Sequence, residues 1–484
     1  MDTREGGRPV AGPAGLTPVA PGRVRLGSGV GRGRWTRRGQ LRAGAALLAL
    51  PLGACATGAP GGAGGSGGGT AGPGAAQAVP LSFMGWGQPS EIQIFETLIA
   101  KYKERQPRTA VDYQKTTPAE FPTKLTAAQA ADQVPDVFYM PDGTFGSWIT
   151  SGVMQAIDGY VDRREVEKIW PKGVARYRFD GSTIGQGKIY CLPKDLGPWV
   201  MVYNQDLFDR YSIPYPKADG SWTWDVALEA WRRMTKIGAD GTPETFGVGD
   251  FTLEAAVWSN GVDYLNAERT RVTVDDPRFV EAFQFVADLR LRHKVSPDQE
   301  QRAALNTFER WKAGQLGTHV MGPWDQPSFW QLPFRWDIAP FPTSPRTKRP
   351  ASWTGSVGFG VSAKTKHPRE AVDLTRFFAT DEDGQRTNYQ LGQAVPNLIS
   401  MAKGEFLKFE KPPASKQVFL DNLETWGRPT LGWYTSNDDW LALFNTEAGA
   451  VYRGEITADA WSRQHAPALT TELTKQAQLP SVLP

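Results

Sequence analysis

Tryptophan is over-represented in this chain, with 18 residues among 484, and several stand in turns beside glycine or proline: "GWGQP", "DLGPWV", "GSWTWD", "MGPWDQP", "ASWTGS" and "LGWYTS". A flat indole in a loop can stack on the apolar C–H face of a sugar, and a planar carboxylate or amide beside it can pair with the hydroxyls. Large aromatics also fill cores and close loops, so position must separate the two uses. The four histidines (His293, His319, His367, His465) and two cysteines (Cys55, Cys191) are scattered, with no HExxH or CxxC spacing. No metal or cofactor is therefore expected.

The elements that must hold these residues alternate. "VPLSFMGWG" reads as a strand, and "SEIQIFETLIAKYKERQP" as a helix that Ser90 can cap, with Ile92, Phe95, Leu98, Ile99 and Tyr102 on its apolar face and Pro107 as its stop. "TAVDYQKT" and "PDVFYMPDG" are further strands, separated by the helix "AEFPTKLTAAQAADQ". Strands alternating with helices predict an α/β lobe with a mainly parallel sheet, whose ligands bind beyond the carboxyl ends of the strands. That rule puts Trp86, Gln88, Tyr139 and Asp142 at the rim. "FRWDIAPFPTS" and "GSVGFGVSAKT" read as adjacent strands, and "HPREAVDLTRFFATDEDGQRTNY" as an amphipathic helix running into another.

The N-terminal region reads differently. Arg37, Arg38 and Arg42 precede an apolar run from Ala43 to Leu52, about half the roughly 20 residues that span a bilayer. Basic residues, a short apolar stretch and small residues describe a secretory signal peptide. Leu52-Gly53-Ala54-Cys55 resembles a bacterial lipobox, which implies lipidation of Cys55, and "TRRGQLR" suits export by either the Sec or the Tat route. Residues 1–54 are thus a leader, and residues 55–80, nearly all Gly, Ala, Pro, Ser and Thr at first, a flexible tether. "GGSGG" in that tether matches the nucleophile-elbow pattern but lacks the strand and helix the motif needs. The leader holds nine arginines against two acids, so a chain of net charge +3 becomes net −4 without it. The basicity belongs to export, and no nucleic-acid partner is implied.

About 400 residues remain, too many for one ordinary core. Their motifs occur in a distinctive order: "PDVF" followed by Gly152-Val153, "GKIYCLPKDLGPWVMVYNQDLF", "TWDVALEAWRRMT", "GTHVMGPWD", "WDIAPFP" and "HPREAVDLTRFFATDEDGQR". From about Leu81 onward this series resembles the family 1 extracellular solute-binding proteins, carbohydrate receptors of ABC importers related to the maltose- and glycerol-phosphate-binding proteins. Cys191 stands where that family commonly has Gly and reads as a small buried side chain.

The resemblance implies a two-lobed, type II periplasmic-binding-protein-like α/β fold with a cleft between lobes and several hinge crossings. The expected first lobe is 81–196 plus 343–384, and the second 197–342 plus 385–484. Trp324 of "GPWD" would face the cleft from the second lobe as the principal stacking residue, with Asp325 beside it as a hydroxyl acceptor or a helix cap. Trp86, Gln88 and Asp142 would face it from the first. Asp195 and Trp199 would lie where the chain crosses, and Trp258 and Trp353 would line the cleft or pack at the hinge. The implied function is capture of a sugar or sugar-like solute by a monomer held to the membrane through its N-terminal lipid, and delivery to ABC permease subunits, without catalysis.

Two other classes share these residue types. A lipid-anchored glycoside hydrolase would need a carboxyl pair such as two of Asp142, Asp195 and Asp325, although the strand–helix units do not repeat as in a barrel. A receptor for a glycerophosphodiester or other charged solute would need converging cations, and only Lys194 is near the rim. The lipobox reading has a direct consequence: a fatty-acid probe fed to cells should label the wild type and not Cys55→Ser, and equal labelling of both would refute it.

Overall fold

The computed structural model describes residues 78–482 apart from 240 and 476–478, so Cys55, the leader and most of the tether lie outside the described residues. β1 (Val79–Trp86) leads into α1 (Pro89–Arg105). Its cap is Gln88, whose backbone N–H donates to Glu91 Oε2 at 2.9 Å, with Pro89 in the first turn. The expected cap, Ser90, lies two residues too deep, inside the first turn, because proline's fixed φ suits Pro89 to helix entry. Ile94, Phe95, Leu98 and Tyr102 are the buried face, so Ile94 takes the place expected for Ile92.

β2 (Thr109–Thr116), α2 (Phe121–Ala130) and β3 (Val137–Pro141) follow, and β1 pairs in parallel with both β2 and β3. α3 (Asp142–Ile149) starts directly off β3. β4 (Cys191–Pro198) is one residue from β5 (Val200–Asn204). Then come α4 (Trp224–Met234), β6 (Pro243–Val248), α5 (Leu253–Ser259), α6 (Pro277–Leu291), β7 (Leu316–Met321) and β8 (Trp336–Ala339). β9 (Ser352–Val361), α7 (Pro368–Ala379), α8 (Glu382–Gln390), α9 (Asp439–Glu447) and α10 (Ala458–Thr474) complete the main elements.

These strands form two open sheets. The six-stranded one runs from the short strand Gly427–Arg428 through β9, β3 and β1 to β2, with β4 also paired to β9. The five-stranded one runs β8, β5, β7, β6 and the short strand Lys236–Ile237. β8 and β9 therefore belong to different sheets and are not the adjacent pair that their sequences suggested. β9 is antiparallel to both β3 and β4, so parallel pairing in the first sheet is confined to β1, β2, β3 and the short outer strand.

Burial explains the alternation. Phe83, Phe95, Tyr139, Phe359 and Phe378 interlock as tilted and edge-on rings between the first sheet and its helices. In β5, Val200 and Val202 join this first core while Met201 and Tyr203 join a second one, as the two-residue period of a strand requires. The second sheet is thus covered on both faces. Cys191 is fully buried, its Sγ 3.8 Å from Met154 Sδ.

The chain passes from the first sheet to the second at Trp199 and returns between β8 and β9. Past that return it stays with the first sheet well beyond the expected boundary at 385. α8 packs on α1, Leu398 pairs with Ile169, Asn397 Nδ2 donates to Pro193 O at 2.6 Å, and Phe419 and Leu423 sit in the first core. Leu431 and then α9, α10 and the residues between them, with Trp440, Phe444, Val451, Trp461 and Leu469 buried, join the second core. The misplacement arose because α8 follows α7 without a break, and the sequence marks no lobe on which it lands.

α4 lies so close to the second sheet that a Cβ at Gly247 would overlap the Trp231 backbone. Gly247→Ala is expected to cost about 1–3 kcal/mol, the usual range for overpacking. A chemical-denaturation midpoint equal to wild type would show that this contact yields.

Candidate functional site

The carboxyl ends of β1, β3 and β7 and the start of β9 surround a cavity of about 400 Å³. Seven of the ten expected residues line it: Trp86, Gln88, Asp142, Asp195, Trp324, Asp325 and Trp353. The first sheet and second sheet both contribute, since Trp86 ends β1 while Trp324 follows β7 through Gly322 and Pro323.

Three tryptophans form its aromatic wall. Trp199 stacks on Trp353 at 4.9 Å between centroids and on Trp324 at 5.5 Å, with Trp324 and Trp353 6.5 Å apart and all planes within 24°. Three such distances make a triangle rather than a column. Trp324 and Trp353 border the cavity and Trp199 does not. Glycines make room: a Cβ on Gly197 or Gly322 would overlap the Trp324 ring, and one on Gly355 the Trp353 ring. Across the cavity Trp86 stands edge-on to Tyr139 at 4.8 Å.

The polar wall is more constrained than the sequence suggested. Asp142 is 3% exposed and ion-paired to Arg176, and Thr430 Oγ1 donates to its other oxygen at 3.0 Å. Burial pushes its carboxyl up against the pull of Arg176. Asp195 pairs with Lys194 at 2.6 Å, both side chains nearly fully buried. Neighbours in a regular strand point to opposite faces, but the register slips here, Val357 opposing Asp195 while Gly358 opposes Pro193. Lys194 is the extra residue of a bulge, and such a residue can re-aim a side chain toward a site.

Asp325 accepts from the Gly322 N–H at 2.9 Å and also borders the cavity, so it is both a turn cap and a cavity carboxyl. Burial pushes it up to about 7, with Glu91 adding like charge. Glu91 is a charged lining residue that sequence reading missed, as it missed Thr430. The Glu91 side chain accepts from the Gln88 N–H and from Gln393 Nε2 at 3.0 Å, and the Gln88-x-x-Glu91 capping spacing was the available signal.

Three expectations need correction. Tyr139 is 1% exposed and belongs to the first core, because its alternate position on β3 faces inward, beneath Trp86. Trp258 is buried in the second core, its Nε1 donating to Asp263 at 2.8 Å, and it borders neighbouring cavities instead. Trp199 backs the wall without lining it. Among the described residues no group of three or more His, Cys, Asp or Glu could hold a metal ion.

Residues 87–385 match the family of bacterial extracellular solute-binding proteins, and the chain belongs to that family. It is 23% identical over 300 residues, 61% of each chain, to the maltotriose-binding protein of Pyrococcus abyssi. To the galactooligosaccharide-binding protein of Bacillus subtilis it is 22% identical over 289 residues, 55% of this chain and 61% of the relative. The chain thus spans about six tenths of the length of these curated relatives. Its fold is similar to an ABC substrate-binding protein of Listeria monocytogenes in complex with cycloalternan, with a TM-score of 0.73 and 19% identity over 83% of this chain and 100% of that one. The architecture is accordingly the two-lobed α/β fold of the periplasmic binding proteins, with no closed barrel among the described residues.

Asp325 sets a pH dependence. Its folded-state pKa lies above the ordinary carboxylate value, so between about pH 4 and pH 7 the native state binds the extra proton. Its contribution is therefore fully present at low pH and is lost as pH rises through about 7. Asp325→Asn keeps an acceptor for Gly322 and removes the charge, so its melting temperature relative to wild type should rise between pH 5 and pH 8. A difference that stays flat over that range would show that Asp325 is ionised throughout.

Proposed function

We propose that this protein captures a saccharide between its lobes and presents it to the membrane subunits of an ABC importer. The observation that carries the reading is a cavity bordered from both sheets, with Trp324 and Trp353 as flat apolar surfaces and Gln88, Glu91 and Asp325 as planar polar groups. The maltotriose-, galactooligosaccharide- and cycloalternan-linked relatives support the same solute class. Closure is supported by the crossings at Trp199 and between β8 and β9, which join the two sheets beside the cavity. An extracellular binding family fits the signal-peptide reading, and lipidation at Cys55 would hold the protein at the membrane. We assign Trp324 and Trp353 to stacking and Trp199 to backing them.

The other two classes fare less well. Asp142 and Asp195, two of the three carboxyls a hydrolase would draw on, are closed in ion pairs with Arg176 and Lys194. An anionic solute would meet Glu91 and Asp325 without a cationic partner, while the lining lysine is committed to Asp195.

A thermal-shift screen against mono- and oligosaccharides, polyols and glycerophosphodiesters tests the solute class, and stabilisation by glycerophosphodiesters alone would contradict it. Trp324→Ala should weaken saccharide binding by about 2–4 kcal/mol, the range of a central aromatic anchor, or roughly thirty- to several-hundred-fold in Kd. Folding should survive, since the ring is only half-buried. Unchanged affinity with a sharply lowered melting temperature would make Trp324 a packing residue.

A further inference from the structure

Beside the tryptophan cavity lies a second, of about 440 Å³, bordered by Glu254, Trp258, Trp353, Thr430, Asp438 and Asn445 among others. Trp353 and Thr430 border both cavities, so the two adjoin at the Trp353 ring. The lining of the second cavity holds two carboxyl groups and no lysine, arginine or histidine.

Those carboxyls are unspent. Asp438 precedes α9 but makes no cap hydrogen bond; Asn437 Oδ1 takes the Asp439 N–H instead, at 3.0 Å. Its Oδ1 is buried without a hydrogen-bond partner. Burial pushes Asp438 up to about 7, with Asp439 adding like charge, and burial pushes Glu254 up as well. Among the described residues neither is in an ion pair. Arg428 lies over the Trp258 ring at 5.3 Å, is paired with Asp263 at 2.8 Å, and borders other cavities. In the first cavity Glu91 and Asp325 likewise make no ion pair among the described residues.

Both carboxyls are partly buried, and withdrawing a carboxylate from water without a counter-charge is costly, so a structural role would have paired or capped them. An ammonium entering this cavity beside Glu254 and Asp438 would supply the missing charge, in a space that Trp353 also borders. Resting on the saccharide reading above, we propose that the solute is an amine-bearing saccharide whose ammonium is held by Glu254 and Asp438.

The test is calorimetric titration of the mature chain with glucosamine and galactosamine oligomers of two to four units, each against its N-acetylated counterpart, with maltotriose as the neutral control. The amine form of at least one pair should bind about tenfold or more tightly than its acetylated partner, as a charge-assisted contact implies. Glu254→Gln combined with Asp438→Asn should abolish that preference, leave neutral binding intact, and lower the melting temperature not at all. Equal binding of both members of every pair, or a preference that survives the double substitution, would overturn the inference. Binding of maltotriose without any amine form would overturn it and leave the saccharide reading standing. Binding of no saccharide would overturn both.

Discussion

The stacking of Trp199 on Trp324 and Trp353 is the contact on which the site depends. Trp199 is the single residue between a strand of the first sheet and a strand of the second. Trp353 opens the strand on which the chain returns, and Trp324 caps the strand end that faces the cavity from the second sheet. Two of the three rings in the aromatic wall therefore stand at the joints themselves. A change in angle between the sheets must move these rings past one another, so the surface offered to a ligand and the opening of the lobes are mechanically linked. The glycines at 197, 322 and 355 follow from this, because the backbone has to pass directly beneath the rings.

Charge is arranged around that wall with the same economy. The cations near the cavity, Arg176 and Lys194, are turned inward and consumed by Asp142 and Asp195. Removing one partner of such a buried pair typically costs about 3–5 kcal/mol, which makes these pairs part of the frame. The carboxyls that remain, Glu91 and Asp325, face the cavity on planar supports supplied by Gln393 and the Gly322 turn. A site of this kind offers acceptors to hydroxyls and ammonium groups and repels phosphate.

The sequence made the strand ends legible. Trp86, Gln88 and Asp142 were placed by the rule for strand termini, and Trp324 by its family motif, because each follows immediately on an apolar run. Tyr139 misled because rim position was inferred from strand order, whereas facing is decided by strand parity, and a buried aromatic core leaves odd and even positions of β3 equally apolar. The ion pair at Asp142 was invisible for a different reason: Arg176 is 34 residues away, in a segment whose own pattern is weak. β8 and β9 looked adjacent since both are short apolar runs separated by a turn-rich stretch, and nothing local says that the stretch changes sheets. Thr430 and Asp438 lie in the C-terminal region that carried no motif, so only tertiary packing brings them to the cavities.

Closure is the claim from which the rest takes its meaning, and solution scattering measures it directly. The radius of gyration of the mature chain should fall when a saccharide that raises its melting temperature is added to saturation, and a Trp199→Gly variant should lose part of that compaction while keeping its fold. A saccharide that binds tightly yet leaves the scattering profile unchanged would contradict the account.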